Sequence, residues 1–132
     1  MIKATLGSVA AAALSIGLAA GPAAAQVSGD VVRLGVLTDM GGIYSDNSGP
    51  GTLLATQMAV EDFGGKVLGK PIEVISGDHQ NKPDVGVNLA RRWIDTEGVD
   101  VIVDAIGSAV AFAVQALAAD KRSEEHTSEL QS

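Results

Sequence analysis

Val31-Val32-Arg33-Leu34-Gly35-Val36-Leu37, followed by the glycine-marked segment Thr38 to Gly49, is the stretch that decides the fold. The first run is β-branched and largely apolar, so it reads as a strand buried on both faces, the kind found inside parallel sheets. The segment after it carries Gly41, Gly42, Asn47 and Gly49. A loop of that length in a compact domain is more often functional than idle. Pro50 then fits the first turn of a helix, where a missing N–H costs nothing. From there Leu53, Leu54, Met58, Ala59, Val60 and Phe63 recur at helical spacing and predict one apolar face. Gly64-Gly65 ends that helix in the left-handed conformation glycine tolerates.

The alternation continues outward from this unit. Pro71-Ile72-Glu73-Val74-Ile75-Ser76 reads as a second strand, with Glu73 suggesting a wetter, edge-like position, and Asp78 to Lys82 is its exit loop. Pro83 starts a second helix with Val85, Leu89, Trp93 and Ile94 inward and Arg91 and Arg92 partly outward; Glu97-Gly98 ends it. Val99 to Ile106 predicts a third strand, and Gly107-Ser108 open a third helix through Val110, Val114 and Leu117. Strands alternating with helices of this length imply an α/β fold, a doubly wound parallel sheet covered on both faces. Crossovers are right-handed. If the second strand lies on one side of the first and the third on the other, the first two helices fall on opposite faces. The switch point then lies between the first and third strands, and a crevice opens at their carboxyl ends. Thr38 to Gly49 and Ala105 to Ser108 line it, so topology alone proposes a binding site.

Both ends of the chain read differently. Met1 to Ala25 has a short basic start at Lys3, an Ala-rich stretch, the Gly21-Pro22 break and the small-residue run Ala23-Ala24-Ala25. These are the parts of a secretory signal peptide cut before Gln26; the stretch is too weakly apolar for a stable membrane span. No Cys occurs, which excludes a lipid-anchored lipoprotein and any disulfide. Arg122 to Ser132 reads RSEEHTSELQS, polar and without an apolar period, and all eleven residues match the translation of a widely used sequencing-library adapter. The expected organisation is therefore a leader over 1–25, part of a ligand-binding lobe over 26–121 and an artefactual tail over 122–132. Seven basic and thirteen acidic residues leave 26–121 at a net −6. A scattered acidic surface argues against nucleic acid or an anionic membrane as partner and suits a small molecule.

Signals for catalysis are thin. Gly49-Pro50-Gly51 lacks the Gly-Lys-Ser/Thr of a phosphate-cradling loop, and no G-x-G-x-x-G follows the first strand. Ser108 after Gly107 at a strand-to-helix turn lacks the G-x-S-x-G of a nucleophile elbow. His79 with Asp78 offers two possible metal ligands, too few for a structural site. The expectation is that Asp78 caps the turn into the Pro83 helix and that His79 is a solvated loop residue. No enzyme activity, cofactor or metal is expected. Ser108 reads better as a binding residue, because free N–H groups and the dipole at a helix start favour an anion; capping its own helix is the competing use of the same hydroxyl. Tyr44, beside Ser45 and Asp46, can wall an apolar ligand group or pack on its own helix. Asp39 and Asp46 could pair with a ligand ammonium or stay solvated.

Val32-Arg33-Leu34-Gly35-Val36-Leu37-Thr38-Asp39-Met40-Gly41-Gly42 resembles the opening of periplasmic solute-binding proteins of the branched-chain amino acid type. So do Met58-Ala59-Val60-Glu61-Asp62-Phe63-Gly64-Gly65, Gly77-Asp78-His79-Gln80-Asn81-Lys82-Pro83 and Arg91-Arg92-Trp93-Ile94, and the similarity spans about Val31 to Lys121. The resemblance implies the first half of the N-terminal lobe of a two-lobed periplasmic receptor, monomeric at full length. Such a receptor closes on a small molecule like a hinge and delivers it to an inner-membrane ABC permease. It implies that Gly107-Ser108-Ala109 holds a ligand carboxylate and that Tyr44 packs on the ligand. The offset of Tyr44 from Gly41-Gly42 departs from the family's usual one. The acidic group that receives a ligand amine normally comes from the second lobe. Branched-chain amino acid, aromatic acid, amide and urea thus stay open as ligands. A sensor domain of a signalling receptor with the same fold, or a secreted α/β enzyme completed by other residues, are the alternatives in other classes.

Overall fold

The computed structural model describes residues 29–129; the leader expected at 1–25 and its cut before Gln26 lie outside the described residues. The elements run β1 (Val32–Thr38), α1 (Gly49–Asp62), β2 (Lys66–Val67), β3 (Lys70–Asp78), α2 (Pro83–Arg92), β4 (Val101–Asp104) and α3 (Ser108–Glu129). One π turn, Trp93–Glu97, carries α2 onward and closes at Gly98 in the left-handed region, φ 61. The sheet order is β2-β3-β1-β4, with β1 parallel to both β3 and β4. The expected arrangement, second long strand on one side of the first and third on the other, is therefore the observed one. Only the short β2 was absent from the sequence reading. It pairs antiparallel with the start of β3, Lys66 opposite Pro71 and Val67 opposite Lys70, through a two-residue turn at Leu68 (φ 51) and Gly69 (φ 76). Both turn residues have positive φ, as tight hairpins favour, yet Leu-Gly lacks the Asn-Gly or Asp-Gly that advertises such a turn.

Strand alternation sends β1 side chains to two sides. On one side Leu37 joins Ala90 and Trp93 after α2 and Val110, Val114 and Leu117 of α3 in a single buried cluster. The indole of Trp93 lies flat on backbone that has no side chains: a Cβ at Gly35 would stand 2.6 Å from its ring carbons, and one at Gly77 2.9 Å. Gly86 does the same between helices, since a Cβ there would come within 2.8 Å of Val110. On the other side Leu34 and Ile72 meet Thr56, Ala59, Val60 and Phe63 of α1 and its end around a shallow apolar groove. The first two helices thus lie on opposite faces, and α3 joins α2.

The single apolar face expected for α1 is instead two stripes. Leu53, Thr56 and Val60 are half-buried toward the sheet, whereas Leu54 and Met58 are more than half exposed and Phe63 is 67% exposed. Six apolar residues in eleven positions cover more of the helix circumference than one sheet face can receive. Glu73 sits on a nearly open flank of the sheet, where Arg33 forks onto its Oε2 at 2.7 and 2.9 Å. The pair is solvent-exposed, so it contributes little to stability.

Candidate ligand-binding site

The carboxyl ends of β1, β3 and β4 form one edge, and its backbone is unusual. Gln80, Asn81, Asp104 and Ala105 have positive φ although none is glycine, and Gly49 (φ 52) and Gly107 (φ 93) add two glycines in that region. Non-glycine residues held there are strained by about 1–3 kcal/mol each, and such positions gather at functional sites. Hydrogen bonds hold the strained chain in place. His79 N–H donates to the Thr38 carbonyl (2.9 Å) and Ala105 N–H to that of Leu37 (2.7 Å), so sheet pairing continues past the strand ends.

The first loop is braced from within. Asp39 is fully buried, and its carboxylate accepts the backbone N–H groups of Gly42 (2.9 Å) and Tyr44 (3.2 Å). Glycine is needed at position 42 because a Cβ would run into that carboxylate. A directed chain closes the loop: Gly49 N–H donates to Thr38 Oγ1 (2.8 Å), Thr38 Oγ1–H to Ser48 Oγ (2.6 Å) and Ser48 Oγ–H to the Asp104 carboxylate. That chain joins both ends of the loop to the end of β4.

The exit loop of β3 is built around His79 and Asp78. His79 is not a solvated residue; it is fully buried, and its Nδ1 accepts the N–H of Asn81 at 2.9 Å. Packing explains the difference, because α2 and α3 cover the sheet here and the His79 Cβ lies 3.6 Å from where a Gly86 side chain would begin. Asp78 caps the turn that leads into α2, as expected, while the N-cap of the helix itself is Lys82 without a side-chain bond. Asp78 Oδ1 accepts from Gln80 N–H (2.8 Å) and Met40 N–H (3.1 Å), which ties the two loops together. Asp39 likewise is neither solvated nor free for an ammonium, since backbone donors occupy both of its oxygens.

The two uses weighed for Ser108 separate in the fold. The Gly107 carbonyl accepts the first helical bond, from Ala111 N–H at 2.9 Å, so Gly107 is the N-cap and Ser108 the first helical residue. Ser108 and Ala109 are exposed at the mouth of the crevice. Tyr44 is half-buried and reaches Gly107: its Cε2 lies 3.5 Å from where a Cβ there would be. Ser45 turns its hydroxyl to the Gly42 carbonyl (2.8 Å), and Asp46 stands exposed on the outer rim of the same loop. Sequence reading missed Asn81, whose Oδ1 lies 2.8 Å from the same point above Gly107. Its one sequence signal was its place in the Asp78–Lys82 loop. Among the described residues no group of three or more acidic or His side chains could hold a metal ion, and no helix is long and apolar enough to cross a membrane.

A family model described as periplasmic binding protein matches residues 31–123. The chain belongs to that family. Solved structures agree with the fold at useful identity. A periplasmic binding protein from Burkholderia mallei is 50% identical with a TM-score of 0.69, over 70% of this chain and 25% of that one. A branched-chain amino acid ABC transporter periplasmic ligand-binding protein from Burkholderia xenovorans LB400 is 48% identical with a TM-score of 0.67, over 69% and 24%. A solute-binding protein of an ABC transporter from Rhodopseudomonas palustris BisB5, solved with 3,4-dihydroxybenzoic acid, is 30% identical with a TM-score of 0.59, over 68% and 24%. No curated protein sequence matches. The chain spans about a quarter of the length of the solved structures it resembles.

Proposed function

We propose that this chain is the N-terminal part of the extracytoplasmic substrate-binding component of an ABC transporter. It captures a small carboxylate-bearing solute, a branched-chain amino acid or similar, by hinge closure and passes it to an inner-membrane permease. The observation that supports this most is the open start of α3. Gly107 serves as the cap, which leaves Ser108 and Ala109, the first residues of the helix, exposed at the carboxyl edge of the sheet. An anion seated there gains about 0.3–1 kcal/mol from the helix dipole, before any hydrogen bonds. Tyr44 offers an aromatic wall to the ligand's apolar part, with Ser45 and Asp46 at the rim. A second lobe would supply the opposite wall, and the complete receptor acts as a monomer. In this reading Met1–Ala25 directs export and is removed before Gln26, residues 26–121 begin the binding lobe, and 122–132 derive from a sequencing adapter.

Ser108→Ala in the full-length protein, expressed from its genomic reading frame, tests the site. A hydrogen bond to a charged group contributes about 1.5–3 kcal/mol, so calorimetry should show affinity for the carboxylate lowered by roughly tenfold or more. Unchanged affinity would reject the carboxylate role of Ser108.

A further inference from the structure

We propose that Asn81 is a further ligand-contacting residue of this crevice and helps decide which solutes it accepts; the proposal rests on the receptor reading above. Three observations meet at this side chain. First, its backbone is held in the left-handed region at φ 52, next to Gln80, also at φ 52. That conformation is secured by the buried His79, whose Nδ1 accepts the Asn81 N–H. An Nδ1 that accepts leaves the ring proton on Nε2, and Nε2 is buried without a hydrogen-bond partner among the described residues. A fully buried histidine with one ring nitrogen unpaired is costly, and the bond its other nitrogen makes is the one that presents Asn81.

Second, the carboxamide lies over the start of α3, beside Tyr44. Asn81 Oδ1 lies 2.8 Å and Tyr44 Cε2 3.5 Å from the point where a Gly107 side chain would begin, so amide, aromatic ring and helix cap converge on one spot. A Cβ at position 107 would crowd the Asn81 carboxamide, and the φ of 93 there favours glycine in any case. Third, Asn81 is half-buried, and its carboxamide has no hydrogen-bond partner among the described residues. An unengaged amide beside the open N-terminus of α3 adds a donor to those of Ser108 and the helix. A rotation about χ2 can turn Nδ2 to an anion or Oδ1 to a ligand hydroxyl or ammonium. His79 is the positioning residue and Asn81 the contact.

The test uses the full-length protein, with calorimetric titration of a panel of α-amino acids and benzoic acids. Asn81→Asp keeps the shape and the tolerance of left-handed backbone but replaces the donor with a negative charge. Asn81→Gly keeps the backbone freedom and removes the amide. Asn81→Gly should weaken the best carboxylate about tenfold and Asn81→Asp more than that, while the melting temperature of the unliganded protein stays within a few degrees of wild type for both. Wild-type affinity in Asn81→Gly, or in Asn81→Asp, would show that the side chain does not touch the ligand and would overturn this proposal alone. A wild-type protein that binds nothing in the panel would overturn the carboxylate-receptor reading, and this proposal with it.

Discussion

Asp39 sits fully buried at the start of the first loop with both carboxylate oxygens on backbone N–H groups. Removing the acceptor leaves two part-buried donors without their partner, and a donor left unsatisfied costs about 1–3 kcal/mol. Asp39→Ala should therefore lower stability by roughly that amount in urea denaturation and also weaken ligand binding, because Tyr44 hangs from the same brace. Asp39→Asn keeps one oxygen and should fall between. The sequence showed an acid in a loop, and a loop acid reads as solvated or as a charge partner. Its actual use depends on the turn Gly41-Gly42 makes back toward it, a close approach that no local pattern encodes. The same holds for His79, whose burial comes from two helices distant in sequence packing over it.

Packing between elements turns on Trp93. The ring fills the layer between the sheet and the α2–α3 pair because Gly35 in β1 and Gly77 in β3 present bare backbone to it. Gly35→Ala would place a methyl 2.6 Å from ring carbons, and overpacking of this kind costs about 1–3 kcal/mol. Combined with Trp93→Leu, whose own cavity is destabilising, the added cost of Gly35→Ala should shrink, since the two changes share one contact. Thermal denaturation of both single variants and the double variant measures that coupling. Strictly additive losses would show that the glycine is there for another reason. Trp93 pointing inward was legible from its helical spacing with Val85 and Leu89. That two strand glycines exist to admit it was not, because the partners are set by the sheet register.

At the scale of the molecule, the described sheet has an open flank. The side of β4 away from β1 has no strand neighbour among the described residues. Beside it runs a groove of about 320 Å³ lined by Ile94, Val99, Ile102, Ala105, Val114 and Ala118. Val101 is 47% and Phe112 70% exposed nearby. Unpaired strand edges with apolar surroundings promote association between chains. Residues 26–121 expressed alone should consequently melt broadly, self-associate and bind ligand weakly or not at all. A sharp cooperative transition by circular dichroism from a monomeric sample would contradict this.

By itself the sequence determined the order and type of the long elements, the glycines that end the first two helices and the family. Hydrophobic period, proline and glycine act locally, and they survive in the chain as a readable pattern. It also anticipated the order of the long strands, because right-handed crossovers leave few ways to wind three strands and three helices. Only the tertiary structure decided which polar side chains brace the loops and which stay uncommitted at the carboxyl edge of the sheet. Ser108 was released from capping by Gly107, Asp39 and His79 were consumed as braces, and Asn81 was brought beside Tyr44 over the start of α3. Each of those assignments depends on contacts between residues far apart along the chain. A polar residue's partner is set by what the folded backbone brings within about 3 Å, not by its neighbours in sequence.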